Sequence, residues 1–239
     1  MHNTVNQHLK PLSNLGISST TRLAVWEALQ TSVSVKILFT QKANMKMEKS
    51  IFEVKPGSFI FEKTKSLPLD VCREMIERFE KHSDEQYPGR IGQTRDHDDS
   101  IKRSTDLVLS GKSHWQDLDG ELFRSLNQAL AEFKQTYSFF DGPFKDMGYA
   151  IQRTDPGEFY HWHIDGGSHE FAMRQLVAIW YLNTLRDQGG ETEFQYQDVQ
   201  ITAEAGKLLL FPPFWTHLHR GSTLKSGSKY IATTWVVFA

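Results

Sequence analysis

The chain has 239 residues, of which 39% are hydrophobic and 23% are charged, and this composition indicates one globular domain with an extension, or two very small domains. Its 27 basic and 29 acidic side chains leave a formal net charge of -2, so we expect no nucleic-acid partner and no membrane partner. The only cysteine, Cys72, excludes an intramolecular disulfide and favours a reducing compartment, for which we take the cytoplasm. No apolar run is long enough to span a bilayer, and the oligomeric state stays open.

Residues 1–50 differ in composition from the rest of the chain. They are rich in Ser, Thr and Asn and poor in acidic residues. An amphipathic piece at residues 23–29 and a β-like run at residues 32–40 interrupt this polar background. An organelle transit peptide would be rich in arginine, whereas this stretch contains only Arg22. We therefore predict a weakly ordered N-terminal extension here, followed by a single domain over the remaining residues.

Two amphipathic helices are predicted within residues 51–146, which we interpret as the helical support of that domain. One or two strands at residues 51–61 precede a helix that begins near Pro68, and residues 101–109 have the composition of another strand. Asp119 is predicted to cap the second helix. The apolar residues at helical spacing, which should face the core, are Val71, Met75, Ile76 and Phe79 in the first helix and Leu122, Leu126, Leu130 and Phe133 in the second.

Short strands with turns between them are predicted throughout residues 147–239, which we interpret as the β-core of the domain. Turn signals such as Gly189-Gly190 and Pro212-Pro213 separate the apolar runs. Many short strands favour a sandwich or barrel, and helices that precede strands favour an α+β fold with the helices on one side. The predicted strands lie at residues 148–154, 159–165, 174–183, 191–195, 207–211, 215–219 and 229–238.

The candidate site centres on His163 and Asp165, within the run Tyr160-His161-Trp162-His163-Ile164-Asp165. Alternate side chains of a strand point to the same face, so His163 and Asp165 can bind one cation. A second histidine is available in His219, at the end of a predicted strand. Two histidines and one carboxylate form the facial triad of non-heme Fe(II) oxygenases, which leaves three coordination positions open.

Other histidines compete for the same role. His161 and His217 alternate onto the ligand faces, and we assign them to the pocket wall or to hydrogen bonds that support the ligands. His97 also belongs to a His-x-Asp run, Asp96-His97-Asp98-Asp99, but this run has no apolar neighbours and is expected to be a solvated turn. A structural zinc site is disfavoured because no fourth ligand is evident.

Residues 101–238 resemble the Fe(II)/2-oxoglutarate-dependent dioxygenases, and within them the prolyl 4-hydroxylase-like branch. The resemblance is strongest from Gly157 onward. It rests on four motifs of this sequence: Tyr160 three positions before the first histidine, the run Trp180-Tyr181-Leu182-Asn183, the pair Gly189-Gly190, and the final run Lys229-Tyr230-Ile231-Ala232-Thr233-Thr234-Trp235.

The resemblance implies a double-stranded β-helix, the cupin-like jelly roll, with helices packed on one side. It implies that His163, Asp165 and His219 are the metal ligands and the catalytic centre. The ligand is Fe(II), and 2-oxoglutarate is the co-substrate. Lys229 and Tyr181 would anchor the far carboxylate of 2-oxoglutarate by charge-assisted and neutral hydrogen bonds, with help from Thr233.

The same resemblance implies an oxidoreductase that consumes O2, releases succinate and CO2, and hydroxylates an unactivated C–H bond, with ascorbate as a reductant. The presence of Asp165 favours hydroxylation, because the related halogenases have a small residue at that position. A peptidyl proline is the implied substrate. The alternatives are a free amino acid or other small molecule as substrate, and a non-catalytic cupin-like metal-binding protein.

One departure from the family pattern concerns the co-substrate pocket. The family usually places a tyrosine nine or ten positions before the first histidine, where this sequence has Thr154 and Arg153. We predict that Arg153 contacts the substrate instead, together with Tyr160 and Trp235.

Overall fold

A computed structural model describes residues 50–92 and 96–239. The predicted N-terminal extension lies outside these residues except for Ser50, so it stays a prediction. Two α-helices, α1 (Leu69–Lys81) and α2 (Gln116–Thr136), occur in the described part. Neither of them is sufficiently long and apolar to cross a membrane.

The strands of the described residues form two antiparallel sheets. The larger sheet has the order β1-β2-β11-β8-β13-β6-β4-β3, with β5 on β13, and the smaller sheet has the order β10-β9-β12-β7. The strands are β1 (Ile51–Glu53), β2 (Phe61–Lys63), β3 (Tyr87–Pro88), β4 (Thr105–Val108), β5 (Phe144–Asp146), β6 (Ala150–Thr154), β7 (Tyr160–His163), β8 (Arg174–Tyr181), β9 (Thr192–Phe194), β10 (Val199–Ile201), β11 (Leu208–Phe211), β12 (His219–Gly221) and β13 (Lys229–Phe238).

The alternation of side chains along β8 divides the core in two. One set of buried residues packs with the helices on the outer face of the larger sheet, and the other set fills the interior between the two sheets. Leu176, Ala178 and Trp180 belong to the first set, whereas Val177, Ile179 and Tyr181 belong to the second. This arrangement confirms the predicted mainly β fold, a double-stranded β-helix with helices on one side.

The two helices are anchored to the larger sheet by apolar packing and by one buried polar contact. The predicted stripe of α2 is buried as expected. Trp180 Nε1 donates a hydrogen bond to Ser125 Oγ of α2 at 2.9 Å, and the Ser125 hydroxyl also lies 2.7 Å from that of Ser66. The contact satisfies an indole N–H that would otherwise be buried without a partner.

Three details of the secondary structure differ from prediction. Asp119 is not the cap of α2, because a 3-10 turn at Ser113–Trp115 leads directly into the helix. Asp119 instead lies in the first turn of α2, where it is buried and accepts a hydrogen bond from Ser110. The strand predicted at residues 215–219 is a 3-10 turn, Trp215–His217, and His219 begins β12 instead of ending a strand. Strands β3, β5 and β10 were not predicted.

Candidate active site

The pairing of β7 with β12 brings the two predicted histidine ligands together. His163, the last residue of β7, lies directly opposite His219, the first residue of β12. Asp165 follows two residues after His163, and its backbone N–H donates a hydrogen bond to the Pro213 carbonyl at 3.1 Å. The chain therefore turns at the end of β7 in a way that keeps the carboxylate beside both imidazoles.

The three side chains are close enough to bind one ion. His219 Nε2 lies 3.4 Å from Asp165 Oδ2, and the ring centres of His163 and His219 are 4.2 Å apart. One candidate ligand atom from each residue lies within 4.8 Å of the others. Bonds of about 2 Å to a single divalent ion are compatible with this spacing.

Backbone carbonyls fix the protonation of both imidazoles. His163 Nδ1 lies 2.7 Å from the His161 carbonyl, and His219 Nδ1 lies 3.0 Å from the His217 carbonyl. Because a carbonyl oxygen only accepts, each Nδ1 carries the proton and each Nε2 presents its lone pair to the site. His161 and His217 thus support the ligands through their main chains.

The electrostatics of the triad also suit a cation. Burial, together with a smaller effect of the neighbouring His219, lowers the pKa of His163 to about 3. Burial by itself raises the pKa of Asp165, but the neighbouring His219, His163 and Arg174 outweigh it and hold this pKa well below its usual range. At neutral pH the site therefore contains a carboxylate and a neutral His163 imidazole, a donor set that fits Fe(II).

The predicted co-substrate residues lie deeper, in the interior between the sheets. Lys229 is 6% exposed, and its Nζ donates a hydrogen bond to the Gly190 carbonyl at 2.5 Å and lies 5.5 Å from the centre of the Tyr181 ring. Within residues 50–92 and 96–239 no carboxylate lies at ion-pair distance from Lys229. Burial lowers its pKa to about 8, although the charge of Glu191 opposes that shift. A buried ammonium without a carboxylate partner fits a dicarboxylic acid ligand.

Tyr181 and Thr233 share this part of the interior with Lys229. Both are buried, and Thr233 points to the same face of β13 as Lys229. The Tyr181 hydroxyl donates a hydrogen bond to Thr192 Oγ1 at 2.8 Å. The structure therefore places the Tyr181 ring against the ammonium and directs its hydroxyl to Thr192.

Two of the predicted substrate residues lie near the triad. The Tyr160 ring stacks on the His163 ring, with centres 3.5 Å apart and planes inclined by 14°. Trp235 lies in the interior under the Arg174 guanidinium, and its indole N–H is buried without a hydrogen-bond partner among the described residues. Tyr160 therefore contacts a histidine of the triad directly, whereas Trp235 is connected to the triad through Arg174, which bonds to the Asp165 carbonyl.

The structure does not bring Arg153 to the triad. Arg153 lies opposite Tyr230 in the pairing of β6 with β13, which places it on the outer face of the larger sheet, and its Nη1 binds Glu80 of α1 at 2.9 Å. This placement gives the predicted substrate contact of Arg153 no support, and that contact stays a prediction. Thr154, the neighbouring residue of the departure from the family pattern, pairs with Lys229 and occupies the interior side. Strand alternation would have distinguished the two positions.

Arg174 was missed by the sequence analysis. Its guanidinium is sandwiched between the Phe171 and Trp235 rings, at 3.9 and 3.8 Å from their centres, and its Nη1 donates a hydrogen bond to the Asp165 carbonyl at 2.5 Å. Regular alternation would turn Arg174 towards the helices, but an irregularity in the pairing of β8 with β13 leaves Gln175 without a partner and reverses the direction. No sequence pattern marked this bulge.

The remaining competitors do not lie in the site as ligands. His217 is buried, with Nε2 2.9 Å from the Ser58 carbonyl and Nδ1 2.9 Å from Thr216 Oγ1, so both ring nitrogens are engaged. His97 is an exposed residue whose Nε2 lies 3.2 Å from Asp99 Oδ1.

Comparison with known proteins agrees with this geometry. Residues 149–237 match the family model of the 2OG-Fe(II) oxygenase superfamily. The chain is 30% identical over 89 residues to a PKHD-type hydroxylase of Synechococcus sp. (strain CC9902), an alignment that covers 36% of this chain. It spans 39% of the length of that curated relative.

Solved structures with a similar fold include prolyl hydroxylases. The prolyl hydroxylase of Trichoplax adhaerens, in complex with a hypoxia inducible factor peptide fragment, has a TM-score of 0.66 at 15% identity and covers 87% of this chain and 94% of its own. A Pseudomonas putida prolyl-4-hydroxylase has a TM-score of 0.59 at 19% identity, with 75% and 92% covered. A viral collagen prolyl hydroxylase from Paramecium Bursaria Chlorella virus-1, in complex with 2OG, has a TM-score of 0.57 at 20% identity, with 78% and 99% covered. Residues 149–237 of this chain are therefore similar to the 2OG-Fe(II) oxygenase superfamily, and its fold is that of the prolyl 4-hydroxylases.

Proposed function

We propose that this protein is an Fe(II)- and 2-oxoglutarate-dependent dioxygenase of the prolyl 4-hydroxylase type. The observation that carries the proposal is the combination of an intact His163, Asp165 and His219 triad with the buried, carboxylate-free ammonium of Lys229 in the same interior. A cupin-like protein that only stored a metal would have no use for an isolated buried cation, which costs folding free energy unless an anion binds to it.

The residues of the site have separate roles in binding the metal and binding the co-substrate. His163 Nε2, Asp165 and His219 Nε2 would hold Fe(II), which when bound supplies the activation of O2 for decarboxylation of 2-oxoglutarate and hydroxylation of a C–H bond. Lys229 binds the far carboxylate, and the Tyr181 ring and Thr233 close the pocket around the carbon chain. The buried interior excludes water from the reaction.

The substrate proposed is a peptidyl proline. The support is the shared fold with prolyl hydroxylases, one of which is in complex with a peptide fragment. The region beside the triad also fits an extended chain, because Tyr160 and Trp235 border it and the large apolar residue Trp215 is 71% exposed just before β12. A free amino acid or another small molecule is the competing substrate class.

The full-length chain can be tested with Fe(II), 2-oxoglutarate, ascorbate and O2 by measuring succinate. We expect turnover by the wild-type chain and its loss in His163→Ala. His97→Ala is a matched control, because His97 also faces an aspartate but lies outside the triad. Equal succinate release in all three proteins would refute the proposal.

Substrate class needs a second experiment with the same enzyme. Proline-containing peptides and a metabolite mixture are incubated separately, and mass spectrometry detects the addition of one oxygen atom. Oxidation confined to prolyl peptides would support the peptidyl assignment, whereas oxidation confined to small molecules would replace it. We further propose a cytoplasmic location, supported by the single cysteine, Cys72, which is buried.

A further inference from the structure

We propose a second divalent-metal site, separate from the triad, formed by His82, Glu85 and His114. His82 directly follows α1, Glu85 ends the 3-10 turn Ser83–Glu85, and His114 lies in the 3-10 turn that leads into α2. One candidate ligand atom from each residue lies within 4.8 Å of the others. Three ligands from three separate positions thus converge at the junction of the two helices.

The distances between the candidate ligand atoms are close to those expected around a bound zinc ion. Glu85 Oε1 lies 2.7 Å from His114 Nε2 and 3.7 Å from His82 Nδ1. Ligand atoms at about 2.0 Å from a tetrahedral zinc ion are roughly 3.3 Å from each other. Both separations lie within about 0.6 Å of that value, so side-chain rotation without backbone movement can complete the site.

The surroundings of Glu85 orient one oxygen towards the two imidazoles. Lys112 Nζ and Trp115 Nε1 both donate hydrogen bonds to Oε2, at 2.5 and 3.3 Å. Oε1 is therefore the oxygen that faces His82 and His114. Outer partners of this kind are what fixes a carboxylate ligand of a metal.

The donor set determines which ion the site would bind. Two imidazole nitrogens and one carboxylate oxygen suit Zn²⁺, with water as the fourth ligand. The side chains of His82 and His114 are 30% and 44% exposed, so an ion can enter from solvent. In the metal-free protein His114 Nε2–H donates to Glu85 Oε1, and binding would release that proton to solvent.

Zn²⁺ at this position would join the end of α1 to the start of α2. These two helices pack on the outer face of the larger sheet, on the opposite side from the interior that contains Lys229. We therefore expect the ion to stabilise the fold and to leave succinate release unchanged.

The test uses the full-length chain with His163→Ala and Asp165→Ala, so that the triad cannot bind metal. Titration with Zn²⁺ in a calorimeter should show one equivalent bound and a thermal unfolding temperature that rises with Zn²⁺. Adding His82→Gln or His114→Gln should abolish both effects. Adding His97→Gln, a histidine beside an aspartate without a third ligand, should change neither.

A second measurement tests the proposal without these variants, in case they fail to fold. In the chain that keeps all three ligands, Zn²⁺ should protect His82 and His114, but not His97, from acylation by diethyl pyrocarbonate, as read by peptide mass spectrometry. Acylation of all three at rates that Zn²⁺ does not alter, or an undiminished Zn²⁺ equivalent in the His82→Gln chain, would show a hydrogen-bonded cluster only and would overturn the proposal.

Discussion

Lys229 Nζ lies 5.5 Å from the centre of the Tyr181 ring, while the hydroxyl of that ring is bonded to Thr192. The ammonium therefore has an aromatic wall and one backbone carbonyl around it, at Gly190, but no counter-charge at contact distance within the described residues. This arrangement is the one expected of an anion-binding site, and the uncompensated charge lowers the stability of the ligand-free protein.

Replacement of Lys229 by Met should weaken 2-oxoglutarate binding. A hydrogen bond to a charged group contributes about 1.5–3 kcal/mol, so we expect the KM for 2-oxoglutarate to rise about 10- to 100-fold. Because the substitution also removes a buried charge, the thermal stability of the ligand-free protein should not fall. Lys207→Met is the matched control, since Lys207 is a buried lysine that pairs with Glu62 outside the pocket, and its KM should equal that of the wild type.

The affinity for 2-oxoglutarate should decrease as the pH rises above about 8. Burial lowers the pKa of Lys229 from 10.5 to about 8, so the ligand-free site loses its positive charge above that pH. The bound carboxylate favours the ammonium, and each pH unit above this value should therefore weaken binding by up to about tenfold. Anaerobic calorimetry with Mn²⁺ in place of iron measures this dependence, which should be absent in Lys229→Met.

The stability of the ligand-free protein should change with pH in the direction opposite to its affinity for 2-oxoglutarate, because Lys229 titrates. Between pH 8 and 10.5 the unfolded chain retains the Lys229 proton that the folded chain has lost, so the contribution of this residue to stability increases with pH across that window. Urea unfolding should show that Lys229→Met has a larger unfolding free energy than the wild type below pH 8. The difference between the two proteins should become smaller as the pH rises above 8. A constant difference would contradict the assigned burial of the charge.

Arg174 is expected to act as a positioning residue for Asp165, the proposed metal ligand. Arg174→Met keeps an apolar side chain against Trp235 but removes the donor to the Asp165 carbonyl. We expect the Fe(II) concentration for half-maximal succinate release to rise about 10- to 100-fold, the range found for outer partners of metal ligands. Arg90→Met is the control, because Arg90 also lies over an aromatic ring, but over that of Tyr87, which does not contact Asp165 in the part of the chain that the structure describes.

Ser125→Ala should destabilise the packing of α2 on the larger sheet. The substitution leaves the buried indole N–H of Trp180 without its acceptor, which costs about 1–3 kcal/mol of unfolding free energy. Urea unfolding measures this loss. Ser100→Ala, at an exposed turn, should change the unfolding free energy by less than about 0.5 kcal/mol.

Residue composition and turn signals made parts of this fold predictable from sequence. Strand β13 was predicted at its observed bounds, because a run rich in β-branched and aromatic residues follows the turn Ser226-Gly227, and the geometry of a strand puts Lys229 and Thr233 on one face. The metal ligands could be proposed from the spacing of His163 and Asp165 and from a family resemblance that extended to His219. Their closeness in space depends on the register of β7 with β12, which the sequence does not display.

The failures of prediction have identifiable physical causes. Arg153 was predicted to contact the substrate because it lies ten positions before His163, whereas the alternation of side chains along β6 directs it to Glu80 on the helix side of the larger sheet. Asp119 has the residue type of a helix cap, but a preceding 3-10 turn had already started α2. His219 begins a strand because the chain before it closes a turn in which the His217 N–H bonds to the Phe214 carbonyl.

The single unpaired residue of β8, Gln175, decides whether the guanidinium of Arg174 lies beside the triad. Removal of that one position would preserve every residue of the triad yet rotate Arg174 out of the interior, so that this side of the interior would lose its positive charge. Proteins with the same triad that differ by this one residue of strand length should therefore prefer substrates of different charge.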